Sequence, residues 1–244
     1  MSDDGLVLLQ LHEPGETPVP HQNEAGLAVG IDLGTTNSVV AFSFESEVEV
    51  LKDENGKALI PSVVYYKDDG AVVVGREARE AILEVPDHVV SSIKRLMGRG
   101  LEDVKSLAGT LPYEVEVPPE GGMVRLRVAG RTLTPVAISA HILMAIKDRA
   151  EQAMLGKTVT RAVITVPAYF DDAARTATKD AARLADIEVL RLVNEPTAAA
   201  LAYGLDNSVE GLYAVYDLGG GTFDISILKM EKGVFQVKAT GGDA

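Results

Sequence analysis

Cysteine is absent from the 244-residue chain, and histidine occurs only four times. Without cysteine the protein can form no disulfide, no thiolate zinc site and no cysteine nucleophile. The histidines have no metal-ligand spacing among them: His12, His21, His88 and His141. The sequence therefore excludes thiol chemistry and gives no sign of a histidine-based metal centre.

A long apolar run is also missing. No segment approaches the roughly 20 residues needed to span a bilayer. The start of the chain, Met1–Asp4, lacks the basic region of a signal peptide. We therefore expect a cytoplasmic protein without a membrane partner. Hydrophobic residues make up 46% of the chain, which is enough for the buried core of a globular protein.

Positive charge is scarce as well. The 23 lysines and arginines stand against 36 aspartates and glutamates, so the formal net charge is −13. A field of that sign repels phosphate backbones, which makes broad electrostatic binding of nucleic acid improbable. An anionic ligand must therefore meet a local and specific site.

Strand and helix signals alternate along the chain after a leader over residues 1–26, which contains several prolines and no sustained periodicity. Strands are predicted at 27–31, 38–42, 161–166 and 187–193, and helices at 134–156, 171–185 and 194–203. The fold class is therefore α/β. The almost continuously apolar strand 161–166 is expected in the middle of a sheet with both faces covered. Short β-branched runs predict a small mixed subdomain from about 61 to 133.

One pattern occurs twice. Ile31–Thr36 reads Ile-Asp-Leu-Gly-Thr-Thr, and Tyr216–Thr222 reads Tyr-Asp-Leu-Gly-Gly-Gly-Thr, each between two apolar strands. Amides of a glycine turn and threonine hydroxyls can bind phosphate. Asp32 and Asp217 would repel that phosphate unless a divalent cation such as Mg²⁺ lies between them. The alternative for one motif alone is ordinary hairpin chemistry, but two related copies favour a phosphate site.

Two charged features accompany these turns. Lys94, Arg95 and Arg99 concentrate positive charge in an acidic chain, and the alternative to a functional site is a solvated basic face. Glu195 follows a strand and opens a helix, which is where ligands collect in open α/β sheets. The alternative for Glu195 is simple helix capping, because a carboxylate there also suits the helix dipole.

Five segments together resemble the DnaK family of molecular chaperones, in the order and spacing of that family. They are Gly30–Ser38, Lys94–Arg99, Val163–Phe170, Asn194–Ala200 and Asp217–Asp224. The resemblance runs from about Leu27 to Ala244. Leu8–Gly15 and Ala168–Ala173 are similar to the HscA branch of the family, which serves iron–sulfur cluster assembly.

The resemblance implies an actin-like, ribonuclease-H-type fold of two lobes around an ATP cleft. It implies a leader at 1–26, the first lobe at 27–210 with the inserted subdomain, and the beginning of the second lobe at 211–244. The chain stops before the adenosine pocket, linker, peptide-binding domain and lid of the family, so alone it is expected to be a weak or inactive ATPase. Strands 226–228 and 234–237 are expected to lack sheet partners.

Residue roles are carried over by matching motif. Asp32 and Asp217 are implied to hold Mg²⁺ through water. Cofactor contacts are implied for Gly34, Thr35, Thr36, Asn37, Gly219, Gly220, Gly221 and Thr222. Lys94, Glu195, Asp224 and Thr222 are implied as catalytic, with Lys94 positioning the attacking water. Whether Glu195 or Asp224 accepts the proton is left open.

The resemblance also implies a relay through Pro167 and Arg175, and a J-type co-chaperone contact at an exposed Arg191. The implied cofactors are ATP or ADP with Mg²⁺, and K⁺ as a further ion. The implied clients are extended peptide segments and an iron–sulfur scaffold protein. A general folding chaperone, a sugar kinase of the same fold and a non-catalytic binding piece are the alternatives.

Overall fold

The computed structural model describes residues 27–44, 47–100, 114–116, 118, 122–204, 210–220 and 222–243. Its strands are β1 Leu27–Asp32, β2 Asn37–Phe44, β3 Glu47–Val50, β4 Ile60–Pro61, β5 Val63–Tyr66, β6 Val72–Val74, β7 Val89–Ser91, β8 Glu114–Glu116, β9 Arg125–Val128, β10 Arg131–Leu133, β11 Val159–Val166, β12 Glu188–Asn194, β13 Gly211–Leu218, β14 Phe223–Glu231 and β15 Val234–Asp243. Its α-helices are α1 Arg76–Ala81, α2 Pro135–Ala153, α3 Asp172–Leu184 and α4 Glu195–Ala202. The predicted α/β class is confirmed. The leader, Gly221 and Ala244 lie outside the described residues.

A six-stranded sheet forms the centre of the fold, in the order β12-β11-β1-β2-β3, with β4 paired to β2. Strand β11 lies between β12 and β1, parallel to both, so its predicted central position is confirmed. From Arg161 to Val166 half-buried and buried residues alternate and none is exposed, so one face is buried and the other is partly covered. Because β1, β11 and β12 are parallel, their carboxyl ends meet at one edge of the sheet.

Two capped helices pack together beside this sheet. The Thr134 hydroxyl accepts the N–H of Ala137 at the start of α2, where Pro135 occupies the first turn, and the Asp171 carboxylate accepts the N–H of Ala174 at the start of α3. Both caps satisfy amides that have no partner within the helix. Helix α2 buries a row of large side chains at helical spacing, and α3 buries mainly alanines, which lets the helices approach closely.

The region from 61 to 133 contains the short strands that its sequence predicts. They form two small sheets, β6-β5-β7 and β10-β9-β8. Val64, Tyr66 and Leu126 belong to the same buried cluster as the central sheet and α2. This region therefore packs onto the main core, and its status as a separate subdomain stays a prediction.

The last three strands form their own sheet, β13-β14-β15, with β14 in the middle. The expectation that residues 226–228 and 234–237 lack sheet partners is wrong, because β14 pairs with both neighbours over its length. Leu228, Met230 and Phe235 form a second core with Ala200 of α4. This core is separate from the larger core of the central sheet, while the division into lobes at 210/211 stays a prediction.

Within the described residues, no helix combines the length and the apolar character needed to cross a membrane.

Candidate functional site

The first Asp-Leu-Gly turn joins β1 to β2 at the carboxyl edge of the central sheet. Asp32 ends β1, and Asn37 begins β2. Leu33 is buried and anchors the turn in the core. A β carbon at Gly34 would lie 2.1 Å from the carbonyl oxygen of Asn37, so any side chain would force this turn open. The turn is tight because its glycine permits it.

The second Asp-Leu-Gly turn joins β13 to β14 in the same way. Asp217 pairs across the hairpin with Asp224, and the Gly219 N–H donates to the carbonyl of Thr222 over 2.9 Å. A β carbon at Gly220 would lie 2.9 Å from Cγ2 of Thr36. The tips of the two hairpins therefore touch.

A polar cleft of about 450 Å³ lies where the hairpins meet. Its lining includes thirteen of the residues singled out from the sequence: Asp32, Gly34, Thr35, Thr36, Asn37, Lys94, Pro167, Glu195, Asp217, Gly219, Gly220, Thr222 and Asp224. Gly221, between two of these residues, lies outside the described part of the chain. Residues more than 190 positions apart in sequence thus share one site.

Lys94 and Glu195 form an ion pair in this cleft. Lys94 lies in a 3-10 helix, Ile93–Leu96, and is only 8% exposed. Its Nζ donates to Oε1 of Glu195 over 2.5 Å. A solvated basic face is therefore the wrong interpretation for Lys94. Helix capping alone does not account for Glu195, because its carboxylate accepts a hydrogen bond from the buried Lys94.

Carboxylates crowd the cleft around this pair. Burial raises the pKa of Glu195, the charges of Asp32 and Asp217 raise it further, and Lys94 opposes them. Burial and the charge of Asp217 also raise the pKa of Asp224, again against Lys94. One lysine cannot balance four neighbouring carboxyl groups, so the site is suited to a cation that arrives with its ligand.

Comparison with known proteins agrees with this geometry. The family model described as Hsp70 protein matches residues 28–244. The chain belongs to the Hsp70 family. The predictions of a DnaK-type chaperone sequence and an actin-like ATPase fold are thereby confirmed, and the sugar kinase alternative finds no support.

Curated relatives of the Hsp70 family carry the name chaperone protein HscA homolog. The relative from Bordetella petrii is 59% identical over 238 residues, covering 98% of this chain and 37% of the relative. The relative from Cupriavidus metallidurans is 57% identical over 239 residues, covering 98% of this chain and 38% of the relative. The predicted similarity to the HscA branch is confirmed. The chain spans less than two fifths of the length of these relatives.

Two side chains that the sequence interpretation did not assign also line this Hsp70 cleft. The Thr165 hydroxyl donates to Oδ1 of Asp32 over 2.8 Å, because the parallel register sets the two residues side by side. Tyr169 also borders the cleft, and burial together with the charges of Asp224 and Glu195 raises its pKa to about 12. No local sequence signal distinguishes Thr165 from the other threonines; only the register does.

The two residues implied in a relay lie on either side of a loop. Pro167 borders the cleft. Arg175 of α3 donates through Nη2 to Oδ1 of Asn194 over 2.7 Å and through Nε to the carbonyl of Phe170 over 3.1 Å. Arg175 thus ties the loop after Pro167 to the residue before Glu195. The relay itself stays a prediction.

Arg191 departs from its expected setting. It lies within β12, opposite Val163 in the register, and is half-buried rather than exposed. Strand β12 is at the edge of the central sheet, where no other described strand pairs with its outer side. Arg191 is not among the residues that line the cleft.

Proposed function

We propose that this chain is the nucleotide-binding part of an HscA-type chaperone that binds ATP with Mg²⁺ and hydrolyses it, with weak or no hydrolysis by this chain alone. The observation that carries the proposal is the meeting of the two Asp-Leu-Gly hairpins, with Gly220 against Thr36. The cleft at that junction also holds the buried Lys94–Glu195 pair. Membership of the Hsp70 family supports the proposal.

The hairpins supply the phosphate contacts in this proposal. Turn amides that converge on one place form an anion-binding nest. A side chain at Gly220 would fill the space between the tips, and one at Gly34 would force its own turn open. Threonine hydroxyls add further donors on both sides of the junction, from Thr35, Thr36 and Thr222. Asn37 and Gly219 border the same space.

Asp32 and Asp217 would hold the Mg²⁺. Within the described residues, no group of three or more His, Cys, Asp or Glu side chains is arranged to enclose a metal ion. Mg²⁺ typically keeps several waters and takes one or two carboxylates together with phosphate oxygens. The donor set in the cleft fits that mode of binding. When bound, Mg²⁺ neutralises charge that develops on the phosphates.

Lys94 and the acidic residues would perform the hydrolysis. The buried ammonium of Lys94 would orient a water molecule and stabilise charge at the terminal phosphate. Glu195 and Asp224, whose pKa values are raised, are the candidate proton acceptors. Thr222, at the tip of the second hairpin, lines the cleft together with Asp224. Its hydroxyl would help to orient the phosphate and the attacking water.

The chaperone partners belong to the same proposal. We assign to Arg191 the contact with a J-type co-chaperone, and to Pro167 and Arg175 the transmission of nucleotide state to a peptide-binding domain. The clients would be extended peptide segments and an iron–sulfur scaffold protein, as the resemblance of the sequence to the HscA branch implies. A cytoplasmic location and the use of K⁺ are proposed on the resemblance alone.

A calorimetric titration with Mg·ATP, followed by an assay of phosphate release, tests the proposal. We expect saturable binding that requires Mg²⁺ and is weakened by Asp217→Asn. Asp148→Asn, on the exposed side of α2, is the matched control and should bind like the parent chain. Absence of Mg²⁺-dependent binding would overturn the proposal, and transfer of the terminal phosphate to a member of a sugar panel would support a kinase instead.

A further inference from the structure

Two buried serines lie behind the first hairpin, outside the residues that line the cleft. Ser38 of β2 is 0% exposed, and Ser62, which follows β4, is 2% exposed. Their hydroxyl oxygens lie 2.9 Å apart. The Ser62 hydroxyl also lies 2.8 Å from the carbonyl oxygen of Gly34, so a buried hydroxyl chain ends on the turn.

The direction of this chain follows from the number of protons. A carbonyl oxygen can only accept, so Ser62 donates its one hydroxyl proton to Gly34. Ser38 must therefore donate to the hydroxyl oxygen of Ser62. The backbone N–H of Ser62 donates to the carbonyl of Thr36 over 2.9 Å. One residue thus holds two carbonyl groups of the same turn.

Holding these carbonyls fixes the amides beside them. In a trans peptide the N–H points opposite to the C=O of the same unit, and the described chain has no cis peptide bond. The N–H groups of Thr35 and Asn37 therefore point away from Ser62. Thr35 and Asn37 line the cleft, whereas Ser62 does not. The partly negative carbonyl oxygens of Gly34 and Thr36 are retained on the side of the turn that Ser62 occupies.

We propose that Ser62, itself oriented by Ser38, is a positioning residue for phosphate recognition by the first hairpin. This inference rests on the proposed function, because the phosphate is that of the nucleotide. Rotation of either peptide would turn a carbonyl oxygen toward the phosphate and an amide away from it. Ser62 prevents that rotation at two peptides, and Ser38 keeps the Ser62 hydroxyl pointed at Gly34.

The chain offers a matched control for the loss of a buried hydroxyl. Ser139 in α2 is 0% exposed, and its hydroxyl contacts the sulfur of Met97 over 3.2 Å. Ser139→Ala removes a buried hydroxyl bond away from the hairpin. Ser62→Ala removes the donor to Gly34 and leaves the Ser38 hydroxyl without its acceptor. Ser38→Ala leaves the bond from Ser62 to Gly34 in place.

The experiment measures Mg·ATP affinity by calorimetry and backbone order at residues 34–37 by NMR relaxation of the nucleotide-free chain. We expect Ser62→Ala to weaken Mg·ATP binding about tenfold and to lower the order parameters of the turn. Ser38→Ala should have a smaller effect of the same kind. Ser139→Ala should change neither quantity, although it removes a bond just as buried.

The outcomes separate this inference from the proposed function. Equal affinity in Ser62→Ala and the parent chain, or equal weakening in Ser139→Ala, would overturn the positioning role. If the parent chain binds no Mg·ATP, the proposed function is overturned. A loss of order at 34–37 confined to the Ser38 and Ser62 variants would then still support control of the turn by Ser62, and unchanged order would overturn it.

Discussion

At the scale of single residues, the cleft is dominated by one buried cation among acidic groups. Lys94 faces Glu195 directly and opposes the rise in the pKa values of both Glu195 and Asp224. A buried charge is costly unless it is paired, and its removal leaves the remaining carboxylates without compensation. Lys94 therefore has two separable effects, one on the chemistry and one on the stability of the cleft.

In the full-length protein, Lys94→Ala should reduce the rate of ATP hydrolysis by about 10²-fold, since loss of a cation that stabilises developing charge has effects of that order. Nucleotide affinity should change much less, because the contacts from both hairpins remain. Single-turnover phosphate release measures the rate, with calorimetry for affinity. Lys157→Ala, at an exposed lysine, is the control. Hydrolysis at the parent rate in Lys94→Ala would contradict the role assigned to this lysine.

At the scale of elements, the position of Lys94 depends on how its 3-10 helix meets α3. Gly98 follows that helix with a φ of +70°, and a β carbon there would lie 2.4 Å from the amide nitrogen of Ala174. Two constraints act together at this residue, a left-handed backbone and a close approach of main chains. The glycine lets the segment that carries Lys94 pack against the first turn of α3.

Gly98→Ala should lower the free energy of unfolding by more than Gly156→Ala. Gly156 has a similar φ of +81°, but beyond its two chain neighbours no atom of the described residues lies within 4 Å of where its β carbon would stand. Substitution of Gly156 therefore costs only the backbone strain, about 1 kcal/mol, whereas Gly98→Ala adds the displacement of Ala174. Denaturant unfolding of both variants measures the difference. If both variants lose the same free energy of unfolding, the contact between Gly98 and α3 is not tight.

A second link between elements joins α2 to the small sheet that contains β5. The Tyr66 hydroxyl and Nδ1 of His141 lie 3.0 Å apart, and the two rings meet edge to face at 5.6 Å between centroids. Burial lowers the pKa of His141 from its ordinary value of 6.5. The neutral ring is therefore the form that the folded state favours.

The free energy of unfolding should consequently depend on pH through His141. Because the folded pKa is lowered, the stabilisation is complete above about pH 6.5 and is lost as pH falls from there through the folded pKa. His141→Gln should flatten this decline, as measured by denaturant unfolding between neutral and mildly acidic pH. Tyr66→Phe should keep it, since burial and not the hydroxyl is the cause. If the free energy of unfolding declines equally in His141→Gln, the decline comes from other titrating groups.

At the scale of the whole molecule, the site is formed between the central sheet and the last three-stranded sheet, each of which has its own core. The first hairpin belongs to the sheet of the larger core, and the second belongs to the three-stranded sheet with its own core. The chain carries a net charge of −13, so an anionic ligand is repelled at long range and must be held by local contacts. In the proposed function, both hairpins supply those contacts.

Coupling to a partner is also a property of the whole molecule. Arg191→Asp should abolish stimulation of hydrolysis by a J-type co-chaperone and leave basal hydrolysis intact, because a reversed charge at a contact repels the complementary surface. Arg125→Asp, at an exposed arginine of β9, is the control. Since Arg191 is half-buried, unfolding curves must show that the variant is folded. Stimulation that survives in a folded Arg191→Asp would remove this residue from the interface.

Features that depend on neighbouring residues could be predicted from the sequence alone. Apolar runs, proline and threonine at helix starts, and glycine at tight turns are local properties, so β11, α2 and both hairpins could be predicted. The repeated Asp-Leu-Gly motif also identified Asp32 and Asp217 as partners in one site. The edge position of β12 and the half-burial of Arg191 could not be predicted from neighbouring residues, because both depend on how the strands are ordered in the sheet.

Which distant groups meet is known only from the tertiary structure. The Lys94–Glu195 pair spans 101 positions in sequence, and the Thr165–Asp32 bond spans 133. The contact between Thr36 and Gly220 and the hydrogen bond from Ser62 to Gly34 also join residues that are far apart in sequence. These distances are set by sheet register and by the packing of the two cores. A local pattern fixes the direction of a side chain along its own strand, but the partner across the sheet is fixed by the fold.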